Sequence, residues 1–164
     1  MPSAERDLLV AHLDAQRRHV LGALDGLDDD QLRAPVLPSG WSPIGLVRHL
    51  TLADERYWCR SIIGGEPLDW FPDEPGADWR VRADEPSSAV LDAYRCEIAR
   101  SNEVIASADP DDPPGRRDPL WDEWGIDFPT VRSVVLHLLV ETATHAGHLD
   151  AVRELIDGRL WLEV

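Results

Sequence analysis

The chain has 164 residues, a length that suits one domain (residues 1–164) and can bury a core without disulfide staples. Its 43% hydrophobic and 29% charged residues are ordinary for a globular protein. A net charge of −15 argues against nucleic acid or an anionic membrane as partner, since both want basic surface.

The N-terminus runs straight into polar, helix-periodic sequence, with no signal-peptide pattern. No apolar run approaches the roughly 20 residues that span a bilayer. Cys59 and Cys96 lie in different predicted helices without a C-x-x-C pattern, and both read as reduced packing thiols of a cytoplasmic protein.

Four long helix-like segments follow in order. The first covers residues 3–27, with Leu8, Leu9, Leu13, Val20, Leu24 and Leu27 near helical spacing. Residues 28–32 suit one extra turn before Pro35 and Pro38. The second helix starts at Ser42-Pro43, a good N-cap followed by a first-turn proline, and runs to Ile63 before Gly64-Gly65. A link over residues 64–85 carries Trp70 and Trp79. The third helix follows Pro86 and continues to about Ala108. A second link over residues 109–128 carries Trp121 and Trp124. These tryptophans read as anchors of the links, with a roof over a site as the alternative. The fourth helix begins near Pro129-Thr130 and ends at Gly158. With no strand-like alternation, the architecture expected is all-α: a four-helix bundle with two long connections.

The fourth helix carries the chemistry. At about 100° per residue, Val134, Leu138, Glu141, His145, Leu149, Val152 and Ile156 fall within roughly 40° of one line, which places Glu141 and His145 in an apolar stripe. A carboxylate buried there needs a cation or a dense hydrogen-bond shell. Glu141 and His145 are four residues apart and can reach one ion together, and His49 in the second helix offers a third donor. Three protein donors leave room for water or substrate. The alternative is a solvated Glu141 with packing histidines. His137 and His148 lie off the central line and read as hydrogen-bonding or proton-relaying neighbours, or as plain packing or surface histidines. Arg56, near the line of His49, is a candidate to hold a substrate carboxylate or the polar end of a thiol, and Arg60 a weaker one; both also read as ordinary ion-pairing arginines.

Residues 40–50 (Gly-Trp-Ser-Pro-Ile-Gly-Leu-Val-Arg-His-Leu), followed much later by residues 141–148 (Glu-Thr-Ala-Thr-His-Ala-Gly-His), resemble the DinB/YfiT-like superfamily. The nearer likeness is to a branch of actinobacterial proteins that includes the mini-circle proteins. The resemblance implies an up-down-down-up four-helix bundle with a divalent ion, zinc or nickel, held by three residues. Mycothiol-dependent maleylpyruvate isomerases use His, Glu and His, which fall here on His49, Glu141 and His145. It further implies a thiol-dependent S-transferase or isomerase working on a small electrophile, with mycothiol as co-substrate and the protein a monomer or homodimer. A metal-dependent hydrolase and a non-catalytic, stress-associated metal-binding protein stand as alternatives.

Overall fold

The computed structural model describes residues 2–69 and 71–161, so Trp70 lies outside the described residues. Within them all regular structure is helical: α1 (Pro2–Ala23), α2 (Asp29–Arg33), α3 (Pro43–His49), α4 (Ser87–Ser107), α5 (Trp121–Trp124) and α6 (Val131–Asp157). The chain signals explain the boundaries. Asp28 and Gln31 close a capping box on α2, and Ser42 accepts from the Gly45 amide at the start of α3. Thr130 and Ser133 cap α6 reciprocally, and Gly158 ends it in the left-handed conformation (φ 75°) that favours glycine. None of the described helices is long and apolar enough to cross a membrane.

Sequence periodicity predicts one α-helix over residues 43–63, but after His49 the chain continues as a π-helix, Leu50–Ile63. Its end shows the wider turn, with the Gly64 amide bonded to the Cys59 carbonyl five residues back. The buried residues explain it. All but Ser61 come in pairs every four residues: Leu50 and Thr51, Asp54 and Glu55, Trp58 and Cys59, Ile62 and Ile63. On an α-helix each step of four drifts by about 40°, so the last pair would stand about 120° from the first. A wider turn removes most of that drift and keeps the pairs on one face.

The core divides into two apolar clusters. One gathers Val20 and Leu24 of α1, Ile44 and Leu46 of α3, Tyr94 of α4 and Leu149 of α6. The other gathers Leu13 of α1, Ile62 of the π segment, Ile105 of α4 and Leu138 of α6, with Trp121 fully buried beside them. On each helix a polar residue falls between the two contributions: Arg17, Asp54 and Glu55, Ser101, and Thr142.

These residues form a buried polar layer. Arg17 and Glu55, 2% and 1% exposed, make a bidentate pair at 2.8 and 2.6 Å. Arg17 also donates to Asp14 and Asn102, and the Ser101 hydroxyl donates to the Glu55 carbonyl. Burial disfavours the guanidinium charge, but Glu55 beside it more than compensates and holds the Arg17 pKa above its ordinary value. Asp54 is different. It has no cation partner in the layer; the Thr142 hydroxyl stands 3.3 Å away, and burial together with Glu55 and Glu141 raises its pKa well above the usual carboxylate range.

Two outcomes follow from this layer. Glu55→Ala strands the Arg17 charge and should cost about 3–5 kcal/mol, toward the low end because Asp14 remains, read from the urea midpoint. The exposed pair of Arg82 and Asp84 should leave that midpoint in place when Arg82 is replaced by Ala. For Asp54 the folded pKa is raised, so its favourable contribution is complete below the ordinary value of 3.8 and is lost as pH rises above it. Asp54→Asn should therefore stabilise the metal-free protein increasingly from about pH 4 toward neutrality; parallel stability curves for the two proteins would contradict the assignment.

Candidate metal centre

The π segment and α6 run antiparallel along a shared seam. His49 meets His145, Asp54 meets Thr142 and Trp58 meets His137 in one continuous register. That register brings the predicted donors together. The rings of His49 and His145 are 5.3 Å apart between centres, and His145 Nε2 is 3.9 Å from a Glu141 carboxylate oxygen. Two imidazoles sharing one ion, each nitrogen ~2.0–2.1 Å from it at a tetrahedral angle, stand about 5 Å apart centre to centre.

Glu141 departs from the helical-wheel reading. It is 41% exposed, and the buried stripe of α6 is centred instead on Leu138, Thr142, Ala146 and Leu149. The wheel was misled by polarity: Thr142 and Arg153 are buried because Asp54 and the Ala23 carbonyl bond them, so the true stripe includes polar members. Glu141 and His145 border it. A carboxylate of the neighbouring polar layer, Asp54, is the one that lies buried on this seam without an ion pair among the described residues.

The local fold orients His49. Its Nδ1 is 2.5 Å from an Asp78 carboxylate oxygen, and Trp79 stacks on its ring at 4.0 Å. A carboxylate accepts, so in the neutral ring Nδ1 carries the proton and Nε2 keeps its lone pair. Both neighbours come from a short 3₁₀ turn, Ala77–Trp79, which lies against the start of α3. Gly45 permits that approach: a Cβ there would stand 2.5 Å from the Trp79 carbonyl oxygen. Sequence reasoning placed Trp79 in a link and passed over Asp78, because neither has a periodic position. The available signal was the glycine at 45, early in a helix where any larger residue is a better helix former.

His145 is held neutral. Burial, then the neighbouring His49 and His148, lower its pKa to about 4. Its Nδ1 is buried with no hydrogen-bond partner among the described residues. His148 is exposed, 5.6 Å from His145 and 6.5 Å from Trp41 between ring centres. His137 packs against Trp58 and Phe128, where burial lowers its pKa despite the opposing charge of Glu141. Neither Arg56 nor Arg60 is drawn into this cluster. Arg56 donates to Glu97 at 2.8 Å, and Arg60 donates to Glu66 and Glu97. Burial alone would raise Glu97, but the two guanidiniums hold it below its ordinary range.

The thiols and tryptophans divide as well. Cys59 is buried, and burial, with Glu55 adding to it, pushes its thiol up to about 12. Cys96 is exposed on α4, outside both apolar clusters, contrary to the reading of both cysteines as packing residues. Trp121 anchors its link in the core as expected, and its indole donates to the Tyr57 hydroxyl. Trp124 is 53% exposed.

The donor chemistry suits a divalent ion: two imidazoles at ligand spacing, one anchored through its far nitrogen by a carboxylate, and a carboxylate one helical turn away. Among the described residues, no three His, Cys, Asp or Glu side chains stand close enough together to hold an ion as they are. Glu141, a half-exposed side chain, can swing toward the pair.

No curated protein and no solved structure matches the chain. A family match, described as Mycothiol-S-transferase, covers residues 8–158 and takes in α3 with His49, the π segment, the Ala77–Trp79 turn and α6 with Glu141 and His145. The chain belongs to this mycothiol S-transferase family, which is DinB-like.

Proposed function

We propose that the protein is a divalent-metal-dependent enzyme that transfers a small electrophile to a low-molecular-weight thiol, mycothiol, with His49, Glu141 and His145 as the metal donors. The observation that carries the reading is the pairing of His49 with His145 beside Glu141, with Asp78 anchoring the far side of His49. The family match supports the thiol. Zinc and nickel both suit imidazole and carboxylate donors. The bundle topology that goes with this reading is up-down-down-up. It is supported by the sharing of core residues: α1 and α6 enter the two clusters in opposite order to α3, with its π continuation, and α4.

Held there, a divalent ion would favour the thiolate form of a bound thiol at neutral pH. The chain's own residues supply the rest. Asp78 fixes the tautomer and ring plane of His49, and Trp79 closes one face of that ring. His145 is neutral at physiological pH, so its lone pair is not lost to a proton. His148, exposed beside His145, is the group placed to take up the thiol proton and pass it to water.

Elemental analysis of the purified protein should show close to one zinc or nickel per chain, lost in His49→Ala, Glu141→Ala and His145→Ala. Unchanged metal content in all three variants would remove the site. Asp78→Asn keeps the three donors and should weaken metal affinity by about 10–100-fold, measured by chelator competition. Consumption of an electrophile should require both metal and added thiol. Turnover with metal but without thiol would select a hydrolase instead, and metal retention without turnover of either kind would leave a binding protein.

A further inference from the structure

The seam that brings His49 to His145 continues past the donors into a pocket. The register of His49 on His145 and Asp54 on Thr142 sets Ala53 level with Glu141. Ala53 lines the mouth of a cavity of about 550 Å³ whose walls include Tyr57, Trp58, Leu68, Phe71 and Trp124. The wall reaches a neighbour of the donors: Trp58 is packed on His137, one turn before Glu141 on α6. The chamber thus begins one helical turn from His49, at Ala53, and meets α6 one turn from Glu141, where Trp58 packs on His137.

The chamber's chemistry is selective. The Tyr57 and Phe71 rings stand edge-on at 6.1 Å, and Trp58 lies edge-on to Tyr57 at 4.9 Å. Its polar groups are largely committed to one another. The Tyr57 hydroxyl donates to Asp118 at 2.9 Å and accepts from the Trp121 indole, and Asp118 also accepts from the Leu120 amide. What the pocket offers a ligand is flat π surface, the size of one or two rings. What charge it shows is negative, from Asp118 and the exposed Asp73, against an overall charge of −15. A hydrophilic thiol gains little there, and an anion is repelled.

We propose that this pocket seats the electrophilic substrate and selects an uncharged, flat aromatic molecule, presenting its reactive carbon past Ala53 to the thiol at the donor cluster. The inference deepens the thiol-transfer reading and rests on it. With 1-chloro-2,4-dinitrobenzene as probe, the step balances as a substitution: the sulfur–carbon bond forms, the carbon–chlorine bond breaks, chloride leaves, and the thiol proton passes to water.

The test separates the pocket from the metal chemistry. Binding of unreactive 1,3-dinitrobenzene is measured by titration calorimetry on the full chain, without thiol. Ala53→Leu, which plugs the mouth, should weaken binding at least tenfold, and Phe71→Ala, in a link outside the helices, by about fivefold. Leu136→Ala, on the exposed face of α6, should leave it unchanged. 3-Nitrobenzoate, which carries a carboxylate, should bind at least tenfold more weakly than the neutral probe. In turnover with 1-chloro-2,4-dinitrobenzene, Phe71→Ala should raise KM for the electrophile and leave KM for the thiol in place. Equal affinity in wild type and both pocket variants, or tighter binding of the benzoate, overturns the proposal. Should Ala53→Leu fail to fold by circular dichroism, Phe71→Ala decides. Probe binding that persists while metal and thiol dependence are absent would sink the thiol-transfer reading and leave the pocket standing.

Discussion

A buried guanidinium that bonds a carboxylate with two nitrogens sets the register of this molecule. Arg17 and Glu55 cannot slide past each other without leaving a charge in the interior, a loss larger than most single packing defects. The pair ties α1 to the π segment, and through Asn102 it reaches α4. The two apolar clusters on either side are non-directional and would tolerate a shift by one turn. The polar layer would not. Asp54, adjacent to Glu55 on the same turn, meets Thr142 of α6 and carries the same register to the face where His49 meets His145.

The donor cluster depends on a second constraint, the absence of a side chain at residue 45. The Ala77–Trp79 turn can lie against α3 only because no Cβ stands in the path of the Trp79 carbonyl. From that position Asp78 fixes His49 through Nδ1 and Trp79 covers its ring. An imidazole so held has one nitrogen to offer and one direction in which to offer it. This pre-organisation separates His49 from His137, which packs against Trp58 and Phe128 without a comparable carboxylate bond to a ring nitrogen among the described residues.

Much of this was legible in the residues. Ser42-Pro43, the capping residues before α6 and Gly158 mark helix ends because their side chains or their freedom at positive φ satisfy orphaned backbone groups. Glu141 and His145 were legible as neighbours because four-residue spacing puts them on one edge of α6, and His49 stands 5.3 Å from His145 between ring centres. The exposure of Glu141 was not legible. A wheel weights apolar residues and cannot know that Thr142 is buried by a hydrogen bond to Asp54. Asp78 was beyond reach for a related reason: an acid in a long link acquires meaning only when the chain folds back over Gly45. The reading of Arg56 as a substrate contact relied on α-helical angles that the π segment does not have; in the structure its guanidinium donates to Glu97, the ion pair that the sequence also allowed.

That π segment links the donors to the pocket. His49, Ala53 and Tyr57 are spaced by four, as are the buried pairs beside them. On an α-helix two steps of four would carry Tyr57 about 80° around from His49, away from the seam with α6. The wider turn holds all three along one border, with His49 at its start and Ala53 and Tyr57 in the chamber wall. A π turn has poorer backbone geometry than an α turn and persists when tertiary contacts over-determine it. Here those contacts are the Arg17–Glu55 bond and the paired apolar residues at Leu50, Trp58 and Ile62, which would lose their shared face if the helix tightened. The wide helix and the alignment of the site are thus one arrangement, maintained by the same buried layer that fixes the register of the chain.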